Sequence, residues 1–352
     1  MSKQQTDTLK HQSTLAAPAR YFPLEKGLYE VVAGLKALGA DFGNGEIDAR
    51  VFQIDCEFAK YRSNKLRCRA ERLDKYYATA NYTPALDQAI ARFLLKRFVT
   101  EYPQLFSCEI LAGGKSALRC ELTGEVLIFD AEMKLIEVRG SDIASRVPEY
   151  ASAFDGLCSQ VPEDIAVVSL APEGNDYLTA IHLCSPSHWA AEDKIGKNFT
   201  AIHAPVPGIE RINRTAPSLV DAMINKGPFV RFAWGITGDT RLNHHPQPPP
   251  GLTIEQWRGR TFQAKNASSP FALRIERQVL HGLPELNAAL FAIRVYFISG
   301  EEIRANERER ALLRAALLSM TPESRAYKGL DENMEDVIAW LDNGSAASRG
   351  NA

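Results

Sequence analysis

Three long stretches rich in β-branched and aromatic residues, Phe229–Thr237, Phe271–Leu280 and Ala289–Ile298, constrain this chain most. Their length and alternation predict three strands. Two shorter strands precede them. Ile165–Leu170 and Tyr177–Leu183 flank Pro172-Glu173-Gly174-Asn175-Asp176, a run of turn-forming residues. Between the two groups, Trp189 to about Asn225 reads as helical, interrupted at Pro205 and Pro207. Two strands, then helices, then three strands predict an α+β fold, with a five-stranded antiparallel sheet and helices gathered on one face.

The flanking regions follow other patterns. Residues 1–20 are polar with few anchors and are expected to be disordered. From about 46 to 103 the pattern is helical. Thr83-Pro84 supplies a hydroxyl N-cap and a proline at the first helical position. Leu86, Ile90, Phe93, Leu94 and Phe98 then recur at helical spacing until Pro103. Glu57 to Tyr77 carries many Arg and Lys residues, which read as a solvated helix face, with a partner-docking face as the alternative. Residues 117–138 alternate, so Leu118–Leu122, Val126–Phe129 and Leu135–Val138 form a short β-meander, and a helical stretch near 141–158 follows. The tail from 302 to 343 is helical, with Leu312, Leu313, Ala316 and Leu317 on one face. The expected organisation is a tail at 1–20, a mostly helical region at 21–158, a sheet domain at 159–301 and a helical tail at 302–352.

Composition excludes more than it identifies. The 352 residues carry 41 Lys+Arg against 43 Asp+Glu, a balance without the basic footprint of bulk nucleic-acid binding. No run of 18 apolar residues predicts a transmembrane helix, and the polar first residues lack the apolar stretch of a secretory signal. The six cysteines, Cys56, Cys68, Cys108, Cys120, Cys158 and Cys184, include no Cys-x-x-Cys pair. Zinc ribbons, thioredoxin-like sites and ferredoxin-type clusters therefore have no support, and reduced thiols in the cytoplasm are expected. Gly113-Gly114-Lys115-Ser116 resembles the end of a phosphate loop, but Glu109 occupies the upstream glycine position. Gly43-Asn44-Gly45 begins like a dinucleotide fingerprint, but its third glycine position is Asp48.

The stretch from Pro186-Ser187-His188-Trp189 through Ile195-Gly196-Lys197-Asn198-Phe199 to Ile202-His203-Ala204-Pro205-Val206-Pro207 is the most distinctive. Its Ile-Gly-Lys-Asn-Phe core resembles a helix start common in PAS domains, whose element order matches that of the predicted sheet domain. The larger pattern resembles the haem-binding α subunits of haem-dependent oxidative N-demethylases. The likeness includes Glu163-Asp164-Ile165, Leu273-Arg274-Ile275-Glu276-Arg277-Gln278, Leu283-Pro284, Phe291-Ala292-Ile293-Arg294-Val295-Tyr296 and Tyr327-Lys328-Gly329, and spans roughly residues 20–340. One departure is Pro162, where the family pattern has Gln.

The resemblance implies a PAS-like domain that binds haem b and oxidatively demethylates a small secondary amine, typically dimethylamine. It also implies partner subunits that bring NADPH electrons through FMN and an iron–sulfur cluster, and a subunit whose tetrahydrofolate captures formaldehyde. Haem iron needs an axial donor, commonly a neutral imidazole. Of the seven histidines, His11 lies in the tail, His244 and His245 in a proline-rich loop where exposure is expected, His281 at a turn, and His188 at a helix start. His182 on the second strand reads as structural. His203 alone would read the same way; the family pattern around it implies the axial ligand. Arg211 and Arg214 are candidates for the propionates.

An alkylammonium substrate calls for a carboxylate or an aromatic face. Alternation sets Arg231 opposite Val230, Phe232, Trp234 and Ile236, puts Arg274, Glu276 and Gln278 on one face, and sets Arg294 and Tyr296 opposite Phe291, Ile293, Val295 and Phe297. The expected roles are Glu276 for the amine, Arg231 or Arg294 for polarising bound oxygen, and Trp234 or Tyr296 for lining the substrate pocket. A salt-bridge ladder packed on the N-terminal helices is the competing reading of the same residues. At the level of function, a haem-PAS gas or redox sensor and a haem-free structural subunit are the alternatives.

Overall fold

The computed structural model describes residues 15–140, 148–260, 262 and 270–343. His11, most of the expected N-terminal tail, the start of the 141–158 stretch and the last residues of the C-terminal tail lie outside the described residues. Strands in chain order are β1 (Lys36–Ala37), β2 (Tyr77–Thr79), β3 (Phe106–Ile110), β4 (Ser116–Cys120), β5 (Glu125–Phe129), β6 (Leu135–Arg139), β7 (Asp164–Leu170), β8 (Asp176–His182), β9 (Phe229–Thr237), β10 (Ala272–Leu283) and β11 (Ala288–Ser299).

The fold is α+β, with two antiparallel sheets. The larger runs β1-β9-β10-β11-β7-β8-β2 and the smaller β3-β4-β5-β6. The five predicted strands are all present at the centre of the larger sheet, but the sheet has seven strands, not five. Its two edge strands come from distant, short segments that carry no alternation to read: Lys36 pairs with Val230, and Tyr77 with His182. The meander likewise gains a fourth strand, β3. His281, expected at a turn, lies inside β10, because that strand and β11 stay paired out to Leu283 and Ala288.

Helices α1 (Phe58–Tyr76), α2 (Pro84–Glu101) and α3 (Ala153–Cys158) precede the central strands. The predicted cap of α2 forms, with Thr83 Oγ1 accepting from Leu86 N at 3.3 Å. The charged run on α1 is solvated only in part, at Arg67 and Arg72. Lys65, Arg69 and Lys75 are buried. Lys65 Nζ donates to the Cys158 carbonyl at 2.7 Å, Arg62 to Glu125 at 2.6 Å, and Arg69 pairs with Asp155. Their aliphatic stems cover apolar surface while distant carbonyls and carboxylates satisfy the heads.

The predicted 189–225 helix is three short ones, α4 (Phe199–His203), α5 (Glu210–Asn213) and α6 (Ala216–Asn225), since Pro205, Pro207 and Gly208 prevent a continuous hydrogen-bond ladder. After α7 (Ile254–Trp257), the C-terminal region forms α8 (Gly300–Ala305), α9 (Glu307–Leu318), α10 (Pro322–Lys328) and α11 (Met334–Asn343).

The larger sheet is covered on both faces, not one. On its core face, Ile165, Val167, Val230, Val279 and Leu290 pack with Phe52, Leu94 and Phe98, and Leu273, Ile275 and Ile298 pack with Leu313, Leu317 and Leu341. On the other, hereafter the cleft face, Ala166, Val168, Leu280, Ala289 and Phe291 meet Trp189, Ile202 and the α6 residues Val220 and Ile224. Gly282 permits that approach, because a Cβ there would stand 2.0 Å from the Ile224 carbonyl oxygen.

Candidate functional site

Asn198 starts α4, its side chain accepting from Ala201 N at 2.8 Å. The helix is tied to the sheet through Phe199 N, which donates to Asp176 Oδ2 at 2.6 Å. These two contacts set the direction of a single helical turn that ends at His203. There the ring packs on Phe199, with centroids 4.2 Å apart, and Nδ1 lies 2.8 Å from the Phe199 carbonyl oxygen. A carbonyl can only accept, so Nδ1 carries the proton and Nε2 keeps its lone pair. Burial pushes the His203 pKa below its ordinary 6.5, and the cations of Arg231 and Lys194 add to that shift. The imidazole is therefore neutral at pH 7, with one nitrogen ready to bind a metal.

The cleft face of the central strands lies beside this helix. Register places Arg231 beside Gln278, Ala233 beside Glu276 and Gly235 beside Arg274, and continues to Ile293, Val295 and Phe297 on β11. Glu276 sits at the middle of this surface with its side chain 13% exposed. Gln278 Nε2 donates to Glu276 Oε2 at 3.0 Å, and Arg274 Nε stands 3.7 Å from Oε1. Arg274 itself is held by the carbonyls of Leu242, at 3.1 Å, and Ser185. Arg231, Ala233, Gly235, Phe291 and Phe297 are only partly buried although they belong to central strands, so the described residues do not fill the middle of this face. Lys328, at the end of α10, reaches over it and donates to the Trp234 carbonyl at 2.9 Å.

The structure brings together His203, Arg231 and Glu276 and separates them from the other candidates. Arg294 and Tyr296 point to the core face. Arg294 pairs with Asp55 at 2.6 Å and lies 3.6 Å from the Tyr61 ring centroid; Tyr296 donates to Gln53 Oε1. Trp234 packs edge-on against Tyr29, with centroids 5.7 Å apart, also on the core face. Arg211 and Arg214 are exposed on and just after α5.

Several groups that local sequence does not single out belong to the cleft's surroundings. His244 and His245, expected to be exposed, are buried. The proline-rich loop folds inward because Trp257 Nε1 donates to the His245 carbonyl at 2.8 Å and the His245 ring meets Tyr76. His244 contacts Asp239 at 2.9 Å and stacks on His188, with rings parallel and centroids 5.5 Å apart. Burial, followed by the charges of Arg260 and His244, pushes the His188 pKa down to about 3. His182 is held by Asp155, 3.2 Å from Nε2. With Asp164 and Cys184 it forms the one metal-like cluster among the described residues. That cluster is already satisfied: Asp164 accepts from Cys184 N at 2.8 Å and Ser185 N at 2.6 Å, and the Lys65 charge lies beside it.

The family model described as haem-dependent oxidative N-demethylase, alpha subunit-like, matches residues 46–338. The match takes in most of the chain, including the meander, both faces of the larger sheet and the α4 turn, and the chain belongs to that family.

Proposed function

We propose that this family member binds haem b on the cleft face and acts as the catalytic α subunit that oxidatively demethylates a small secondary amine. The carrying observation is His203, a neutral imidazole whose Nδ1–H is committed to Phe199 and whose Nε2 is left for an iron. Phe291 and Phe297 are apolar and partly exposed on this face and suit a porphyrin, and the partly exposed centre of the face leaves it space. The five central strands taken in chain order lie 2-1-5-4-3, and this order supports the PAS-like reading. The cleft residues therefore fit the group that the family name implies.

When bound, haem supplies the iron at which O2 is activated. This chain's residues do the rest. Glu276 offers a carboxylate to the substrate's N–H groups, and the Gln278 amide holds that carboxylate in place. Arg231 provides a buried donor beside it for an oxygen atom. With dimethylamine, one atom of O2 leaves in formaldehyde and the other in water. Methylamine is the second product, and two electrons and two protons enter. A partner reductase with FMN, an iron–sulfur cluster and NADPH supplies the electrons, and a tetrahydrofolate-binding partner takes up formaldehyde. Arg294, Tyr296 and Trp234 hold the core and do not meet the substrate.

Reconstitution of the purified chain with haemin tests the reading. Wild type is expected to bind one haem, to change its Soret band when dimethylamine is added, and to release formaldehyde when electrons are supplied. His203→Ala is expected to lose stoichiometric haem, and Glu276→Gln to raise the amine KM about tenfold or more. Full loading of His203→Ala with an unchanged Soret band excludes the ligand assignment. A spectrum that answers O2, CO or NO but ignores amines points instead to a gas sensor.

A further inference from the structure

We propose that the propionate-bearing edge of the haem lies over Gly235 and is held by Lys328 and Arg260, not by Arg211 and Arg214. This rests on the haem reading above and gives a role to Lys328, which the motif pattern contains without one, and to Arg260, which lies outside the motifs.

The cations around the cleft face are not balanced by carboxylates among the described residues. Lys328 spends one of its three N–H donors on the Trp234 carbonyl. Its Nζ stands 3.9 Å from where a Cβ on Gly235 would lie, which places the ammonium on the cleft face. Arg260 donates from Nη2 to the Tyr327 carbonyl at 3.3 Å, packs against Gly329, and keeps Nε buried without a partner among the described residues. Arg231, further along β9, also keeps Nε buried without one. Glu276 is the carboxylate whose charge reaches both Arg231 and Lys328, and Gln278 and Arg274 already engage it. Arg274 has further compensation from Asp164 and Asp239.

Cations withdrawn from water without an anion are costly. Arg231 and Lys328 share the Glu276 carboxylate, and Arg260 has no carboxylate partner among the described residues, so the group calls for a ligand with about two negative charges. A dicarboxylate porphyrin meets that need. Arg231 and Gly235 are four residues apart on β9, about 13 Å at ordinary strand rise. His203 stands toward the Arg231 end, since Phe199, on which its ring packs, clusters with Phe229 and Leu280, and Lys328 stands at the Gly235 end. The separation suits a macrocycle bound at its centre and clasped at one edge. Exposed cations such as Arg211 and Arg214 hold an anion only weakly.

Binding of haemin and of haemin dimethyl ester to the full-length apo-protein tests the assignment, because the ester removes both negative charges and keeps the iron. Wild type is expected to prefer the free acid by tenfold or more. The preference should collapse in Lys328→Gln/Arg260→Gln and persist in Arg211→Gln/Arg214→Gln. Arg260→Lys, which keeps the charge, is expected to retain it and controls for folding alongside circular dichroism. Preference retained in the first double variant, or lost in the second, overturns the assignment. So does wild type that binds both porphyrins equally through His203, although the haem reading then stands. Wild type that binds neither overturns both.

Discussion

Burial pushes the Glu163 carboxyl up to about 7, against the pull of Arg294, the Gln53 amide and Lys65. Gln53 N donates to Oε1 at 2.7 Å, while Oε2 has no partner among the described residues. Since the ordinary value is 4.5, the folded state holds a proton that the unfolded chain has already released between those two pH values. The stability this proton confers is therefore present at low pH and is lost as pH rises to about 7. Glu163→Gln, which stays neutral, is expected to gain stability over wild type across that interval and to level off above it, by about 3 kcal/mol in all. Thermal denaturation of both proteins at several pH values measures the difference, and a gap that is flat across the interval contradicts it. None of this is legible locally. Glu163 stands in a motif, but its environment is made by Gln53 and Arg294, each more than a hundred positions away. His244 and His245 show the same limit, since prolines announce a loop and say nothing about which way it folds.

At the scale of elements, alternation correctly divided Arg231 from Trp234 and Glu276 from Arg277, because side chains on a strand must point to opposite faces. It could not say which face carries the cleft, and so grouped Arg231 with Arg294. Arg294 is fully buried in its pair with Asp55. Removing one partner of such a pair leaves the other uncompensated, so Arg294→Ala is expected to destabilise the fold by about 3–5 kcal/mol. Arg231→Ala is expected to cost less than about 1 kcal/mol and to impair turnover instead. Denaturant titrations beside amine kinetics separate the two, and equal destabilisation would argue against the division of faces. Helix breaks were partly legible: the prolines around 205 and 207 mark where α4 must end, but not that α5 and α6 form separately beyond them.

For the whole molecule, the family name supports haem dependence, and the words alpha subunit imply other subunits. Among the described residues no helix is long and apolar enough to cross a membrane. Under the proposed function, the haem-loaded chain mixed with NADPH alone is expected to stay ferric and release no formaldehyde, whereas a chemical reductant or a flavin/iron–sulfur reductase restores turnover. Reduction by NADPH alone, followed in the Soret band, would place the electron entry in this chain. The amino-acid sequence by itself determined the alternation of the five central strands, the cap of α2 and the helix breaks at Pro205 and Pro207. Those properties depend on neighbours within a few residues. The tertiary structure alone decided the seven-strand count, the face left open and which charges are compensated. Each depends on partners brought from far along the chain, as Asp55 is to Arg294 and Lys328 to Trp234.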